Sequence, residues 1–281
     1  MTSGQTSSSD IHLSGYQARD YDVVDYHMSE LTGTGLHFRG PFPEAALQGG
    51  DYFACIGAAQ ALGCFCDHPY PALIEEKTGI AALNLGYGGA GPEFFLIQER
   101  LLPFLNKARF VVMQVMSARS QSNLLYECGG LEYVRLHSDG RRMGAAAAFD
   151  DLLSGPDLLR NLPLPLRVRR KLANLAARPR TKAVVQDLRD AWVKSSKDLI
   201  ARIEVPVVLL WFSKRSPAYQ ERYATQFQLF GEFPHMVTPQ MLDALKPLVA
   251  TYVEATTSRG SPQALYSRFT GKPTTVNPAN D

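Results

Sequence analysis

The tightest constraint in this chain is a run of apolar residues, YFACI at positions 52–56, that stops at Gly57. So short a run with no polar alternate cannot leave one face in water. It reads as a strand covered on both faces, the signature of a parallel sheet between helices. Further runs repeat the device: ALNL at 82–85, closed by Gly86-Tyr87-Gly88-Gly89; FVVMQVM at 110–116; and VPVVLLWF at 205–212. Between them lie helical stretches. One covers 59–77 and is interrupted near Pro69 and Pro71, and another is opened by Pro92 and continues to about residue 105. The segment 239–256 reads as a late amphipathic helix. Strands alternating with helices predict a three-layer α/β fold with a parallel sheet.

Residues 130–202 differ in composition and read as a mainly helical, basic insertion. Within it, Arg160 to Lys182 carries Arg160, Arg167, Arg169, Arg170, Lys171, Arg178, Arg180 and Lys182 and no acidic residue. That stretch is open to two readings: a solvated helix face, or a docking surface for an anionic partner, including peripheral contact with a membrane through Leu166, Val168, Leu172 and Leu175. The remaining organisation is a disordered N-terminal tail at 1–15, a single domain at 16–270 and a polar C-terminal tail at 271–281. A chain of 281 residues with 45% hydrophobic and 20% charged residues can bury a core without disulfides or metals. Its net charge of +2 gives no global case for nucleic acid. The start lacks a basic, then apolar, export signal, and no apolar stretch approaches the roughly 20 residues of a membrane span. Cys55, Cys64, Cys66 and Cys128 suit a reducing compartment, and the expected location is the cytoplasm.

In a parallel sheet ligands bind beyond the carboxyl ends of the strands, so the strand exits are the candidate site. They are 57–60 (GAAQ), 84–91 (NLGYGGAG), 117–123 (SARSQSN) and 213–216 (SKRS). Other signals are weak. Cys64, Cys66 and His68 lack the spacing of a zinc site, so no metal is expected. The glycines at 86–91 do not follow the dinucleotide pattern, and no phosphate loop is present. The aromatics Trp211, Phe212, Tyr219, Tyr223, Phe227 and Phe230 read as core.

The order of strand, small-residue turn, helix, NLGYGGAGPEFF and a strand ending in a polar loop resembles the SGNH (GDSL) hydrolase superfamily. The whole pattern is similar to a group of uncharacterised bacterial proteins with that core. The resemblance implies a flavodoxin-like three-layer sheet, with oxyanion donors at Gly86 or Gly88 beside Asn84, and at Asn123 or Ser117. It also implies a nucleophile at the first turn, where this chain has Ala59, and a base in a late turn, where it has His235 preceded by Glu232. Alanine cannot attack a carbonyl, so serine-hydrolase chemistry is disfavoured.

What the exits retain is cationic and hydrogen-bonding. His235, Arg119 and Arg215 are the candidate catalytic residues. Gly57, Ala59, Gln60, Asn84, Gly86, Gly88, Ser120, Ser122 and Asn123 are the candidate binding residues, with Lys214 nearby. Two functions stay open. The first is a transferase passing an acyl, sulfuryl or phosphoryl group from an activated donor to a hydroxyl of a glycan or lipid precursor, as in polysaccharide biosynthesis; Arg119 and Arg215 would grip the donor and His235 would act as base. The second is an inactive relative that binds a carbohydrate or a partner protein. No permanently bound cofactor is expected; an activated anionic donor would be a cosubstrate.

Overall fold

The computed structural model describes residues 20–155, 163, 165–218, 222–259 and 264–274. The tail expected at 1–15, residues 275–281, Arg160 and Tyr219 lie outside them. A hairpin of β1 (Met28–Leu31) and β2 (Leu36–Arg39) precedes β3 (Tyr52–Gly57), β4 (Ala81–Gly86) and β5 (Val111–Gln114). A small antiparallel sheet follows, made of β6 (Tyr126–Glu127), β7 (Tyr133–Leu136) and β8 (Arg142–Gly144). β9 (Val207–Ser213) and β10 (Thr251–Thr256) then complete a five-stranded parallel sheet in the order β10-β9-β5-β3-β4. The apolar run at 52–56 is β3, an inner strand paired with β4 on one side and β5 on the other.

Every residue of β3 is buried because its two faces serve two cores. Tyr52, Ala54 and Ile56 join Val111, Met113, Leu209 and Trp211 in the larger core. Phe53, Cys55 and Val112 point the other way into a smaller one, flanked by Tyr70 and Ile74 of the helix Tyr70–Thr78. The larger core is closed by the helices Pro92–Ile97, Ala145–Leu153 and Leu166–Arg202. The architecture is thus the three-layer parallel α/β sandwich that the apolar runs predict. Read in chain order, the five strands take the 2-1-3-4-5 arrangement, so connections diverge at the β3/β5 boundary and a crevice is expected there.

Four segments differ from expectation. Residues 239–256 are not one helix: Pro239–Asp243 is helical, a 3-10 turn spans Lys246–Leu248 and the rest is β10. Pro247 cannot donate to a continuing helix, and the β-branched alternation of TYVEAT finds a parallel partner in β9. The helix opened by Pro92 breaks at Gln98, and a separate helix Leu102–Lys107 follows with its own proline in the first turn.

The third difference lies between β5 and β9. That excursion is mainly helical, but it begins with the antiparallel sheet, and the second half of Leu166–Arg202 is no insertion. Val184, Val185, Leu188, Trp192, Leu199 and Ile200 are buried in the main core, which makes this half the crossover helix that leads into β9. Residues 271–274, read as the start of a tail, return to the body: Thr274 N–H donates to the Leu265 carbonyl at 3.0 Å, and Ser267 Oγ to Asp22 Oδ1 at 2.6 Å. All four cysteines are free thiols, and no helix among the described residues is long and apolar enough to cross a membrane.

Candidate functional site

Gln114, the last residue of β5 and fully buried, spans the crevice between β3 and β5. Its Oε1 accepts the Ala58 backbone N–H at 3.1 Å, and its Nε2 donates to Gln60 Oε1 at 3.3 Å. Gly57 makes room for it, since a Cβ there would lie 2.4 Å from Gln114 Oε1. With the crevice directly over β3 occupied, the open space lies further along the sheet. A cavity of about 780 Å³ extends from Gln60 past Arg119 to the exits of β9 and β10. Phe212, Ser213 and Lys214 form one part of its wall, and Thr257 and Arg259 another. The helix Gln226–Phe230 and the turn after it supply Phe227, Phe230, Phe233 and His235.

His235 is held by its own turn. Gly231 ends the helix at φ 67°, a left-handed angle suited to glycine, and its carbonyl accepts a hydrogen bond from His235 Nδ1 at 2.8 Å. A carbonyl can only accept, so Nδ1 carries the proton and Nε2 is left with its lone pair. The ring is 5% exposed, and Nε2 has no hydrogen-bond partner among the described residues. Burial pulls the imidazole pKa from 6.5 down to about 3; the positive charge of Arg119 and then Arg215 adds to this, against the opposing bond to Gly231. His235 is thus a neutral acceptor in the cavity wall.

The two arginines have different environments. Arg119, on the 3-10 turn after β5, lines the cavity, and its guanidinium is ion-paired with Glu132 through Nε at 3.1 Å and through Nη2. Arg215 does not line it. Its guanidinium donates to the backbone carbonyls of Glu232 at 3.0 Å, Ser216 at 3.1 Å, Val237 at 3.0 Å and also Pro234, and it stacks 4.8 Å above the Trp211 ring. The expected anion grip by Arg119 and Arg215 together is therefore not what these side chains form. Arg215 fastens the 232–237 turn, because that turn leaves carbonyls that no helix or strand satisfies.

Of the other expected residues Gln60 and Lys214 reach the cavity. Ala59 is buried at the start of the helix Ala59–Leu62. Asn84 is spent locally: Nδ2 donates to the Ala61 carbonyl at 2.8 Å, and Oδ1 accepts the Gly86 N–H at 2.9 Å, so that amide is no oxyanion donor. Gly86 is required by packing, since a Cβ would fall 2.1 Å from Leu62 N. Gly88 lies in the following turn outside the cavity lining. Ser122 bonds Glu93 at 2.8 Å, Asn123 bonds the Gln121 carbonyl at 2.8 Å and the Leu125 N–H at 2.8 Å, and Ser120 is fully buried. Ser122 and Asn123 thus organise the loop, and the Ser120 hydroxyl is buried without a hydrogen-bond partner among the described residues; none of the three lines the cavity. Ser117 is likewise buried, and Cys64 and Cys66 contact Asp20 Oδ2 and the His68 carbonyl rather than one common point.

Sequence reasoning missed Arg259 and misread Phe227, which is 67% exposed at the cavity, and Phe212, which is half-buried in its wall; Trp211 is core as read, and Phe230 is buried in the core while bordering the cavity. Helix phase gives no warning of this, because Phe227 and the buried Phe230 stand at i and i+3 on one face of a five-residue helix. No signal pointed to Arg259, which depends on the unforeseen β10.

Fold and cavity together describe a parallel α/β protein with an open cavity beyond the carboxyl ends of its strands. The chain belongs to the family described as Domain of unknown function (DUF6473), which matches residues 13–133 and 167–278. No curated protein matches it significantly. Among solved structures it is similar to phospholipase A1 from Streptomyces albidoflavus NA297, with 11% identity, a TM-score of 0.37, and coverage of 72% of this chain and 78% of that one. It is also similar to the extracellular lipase of Streptomyces rimosus, with 13% identity, a TM-score of 0.35 and coverage of 79% and 85%.

Proposed function

We propose that the protein binds a small amphiphilic anion non-covalently in the cavity beyond β9 and β10. The observation that carries this is the pairing of charge with an aromatic wall. Lys214 and Arg259 line the cavity next to Phe212, Phe227, Phe230 and Phe233; among the described residues neither forms an ion pair with a carboxylate, and together they outnumber Glu232, the acidic side chain of the lining. A phosphate, sulfate or carboxylate would meet the cations while its apolar portion covers the rings.

The activated anionic donor expected from the sequence belongs to this class of ligand, but transfer from it is the less supported reading. A general base works best with a pKa near the working pH, and an imidazole held at about 3 is a weak one. Ala59 offers no nucleophile, and its place outside the cavity lining means that Ala59→Ser should not restore one. Neither form should react with a fluorophosphonate; stoichiometric labelling of the wild type would overturn non-covalent binding as the mode of action. The proposed setting is the cytoplasm, where four free thiols persist.

Calorimetric titration with octyl phosphate, octanoate and octanol tests the binding. The two anions should bind at least about tenfold more tightly than the alcohol, a difference of about 1.4 kcal/mol. Lys214→Ala with Arg259→Ala should remove most of that preference. Equal affinity for octanol, or a preference untouched by the double variant, refutes the reading.

A further inference from the structure

The long helix Leu166–Arg202 has two unlike halves. In its first half, Ala173 and Ala177 continue into Thr181, Val184 and Leu188 at the spacing i, i+4, i+8, i+11, i+15, and all five are buried against the body. On the opposite side Val168, Leu172 and Leu175, at i, i+4 and i+7, are 44%, 40% and 65% exposed; Leu166, in phase with Ala173 but at the helix start, is 68% exposed as well. Basic residues flank that stripe: Arg167, Lys171, Arg178, Arg180 and Lys182 are all exposed. None of them pairs with a carboxylate among the described residues; Arg178 lies 5.6 Å above the Tyr223 ring. No acidic residue occurs between positions 158 and 186.

We infer that this solvent face is a docking surface for an anionic lipid bilayer, a role separate from the cavity. Two features are needed together and both are here. Exposed leucines on a surface helix hold apolar area that water disfavours and an acyl-chain boundary accepts. A ring of unpaired cations complements lipid phosphates and raises affinity by about fivefold for each Lys or Arg near the surface. A nucleic acid would use the cations but offers nothing to the leucine stripe, so the bilayer is the occupant that satisfies both. Asn174 Nδ2, bonded to the Ala224 carbonyl at 3.0 Å, fixes the helix on its inner side and keeps the stripe outward.

Co-sedimentation of the full chain with vesicles tests this, using phosphatidylcholine alone and phosphatidylcholine mixed with phosphatidylglycerol. Binding is expected to the mixed vesicles at low salt, at least about tenfold stronger than to the neutral ones, and to fall steeply as salt is added. Leu172→Ser with Leu175→Ser should weaken it about tenfold, and Lys171→Glu with Lys182→Glu should weaken it more than twentyfold, as expected for about a fivefold effect per charge. All four positions are exposed, so unchanged circular dichroism and Tm show that the variants fold. No binding to mixed vesicles, or equal binding to both kinds, overturns the inference. So does a leucine variant that binds like the wild type, which would mark a polyanion surface. A dimer in sedimentation velocity that disappears in the leucine variant would assign the stripe to a second copy and also overturn it.

Discussion

Arg119 and Arg215 both follow a strand exit and read alike in the sequence, yet their partners give them different tasks. Arg215 serves several carbonyls of one turn at once, which only a planar fork can do. Arg215→Lys keeps the charge and loses most of those bonds. It should lower stability by about 1.5 to 3 kcal/mol, read as a lower urea midpoint with an unchanged slope. His235 makes a prediction about pH. Its folded pKa lies below the ordinary 6.5, so between about 6.5 and 3 the unfolded chain takes up a proton that the folded chain refuses. Its contribution is fully present above about pH 6.5, and stability declines as pH falls, by up to about 1.4 kcal/mol per unit. Urea unfolding between about pH 7 and 5.5, where carboxylates are still ionised, should show this slope in the wild type and a flatter one in His235→Gln. An identical slope in both would mean that the imidazole titrates normally.

At the level of elements, the helix Leu166–Arg202 runs 37 residues with Pro179 inside it. An interior proline removes one helical hydrogen bond and crowds the preceding turn, at a cost of about 3 kcal/mol, partly offset because proline also stiffens the unfolded chain. Pro179 is exposed, so alanine there meets no wall. Pro179→Ala should therefore stabilise the protein by about 1 to 2 kcal/mol and raise Tm by several degrees in a thermal melt. The edge strand β10 teaches a different lesson: its residues carry no continuous apolar run, and four of its six are exposed. A strand that is half solvated at a sheet edge loses the very signal by which inner strands are read.

For the whole molecule, the question is whether the crossover helix and the sheet are one cooperative unit. Trp192 from the helix and Trp211 from β9 are both fully buried in one core. Trp192→Phe and Trp211→Phe each leave a single reporter, and in either variant the fluorescence midpoint in urea should coincide with that of circular dichroism. Separate midpoints for the two reporters would show that the helix opens independently of the sheet.

By itself the sequence determined the inner sheet and its layering, because runs such as 52–56 and 205–212 have no polar alternate and read as strands covered on both faces. It also determined that the first turn carries no nucleophile and that Arg160 to Lys182 is basic and free of acids, since these are matters of composition. Only the tertiary structure decided which polar groups face a ligand. Asn84, Ser122 and Asn123 have the right chemistry at the right strand exits, but each is consumed by a neighbour within the loop or across it. Arg259 reaches the cavity only because β10 lies beside β9. Hydrogen-bond partners are set by distances in space, and no local pattern of residues encodes whether a donor finds its acceptor in its own turn or is left to meet a ligand.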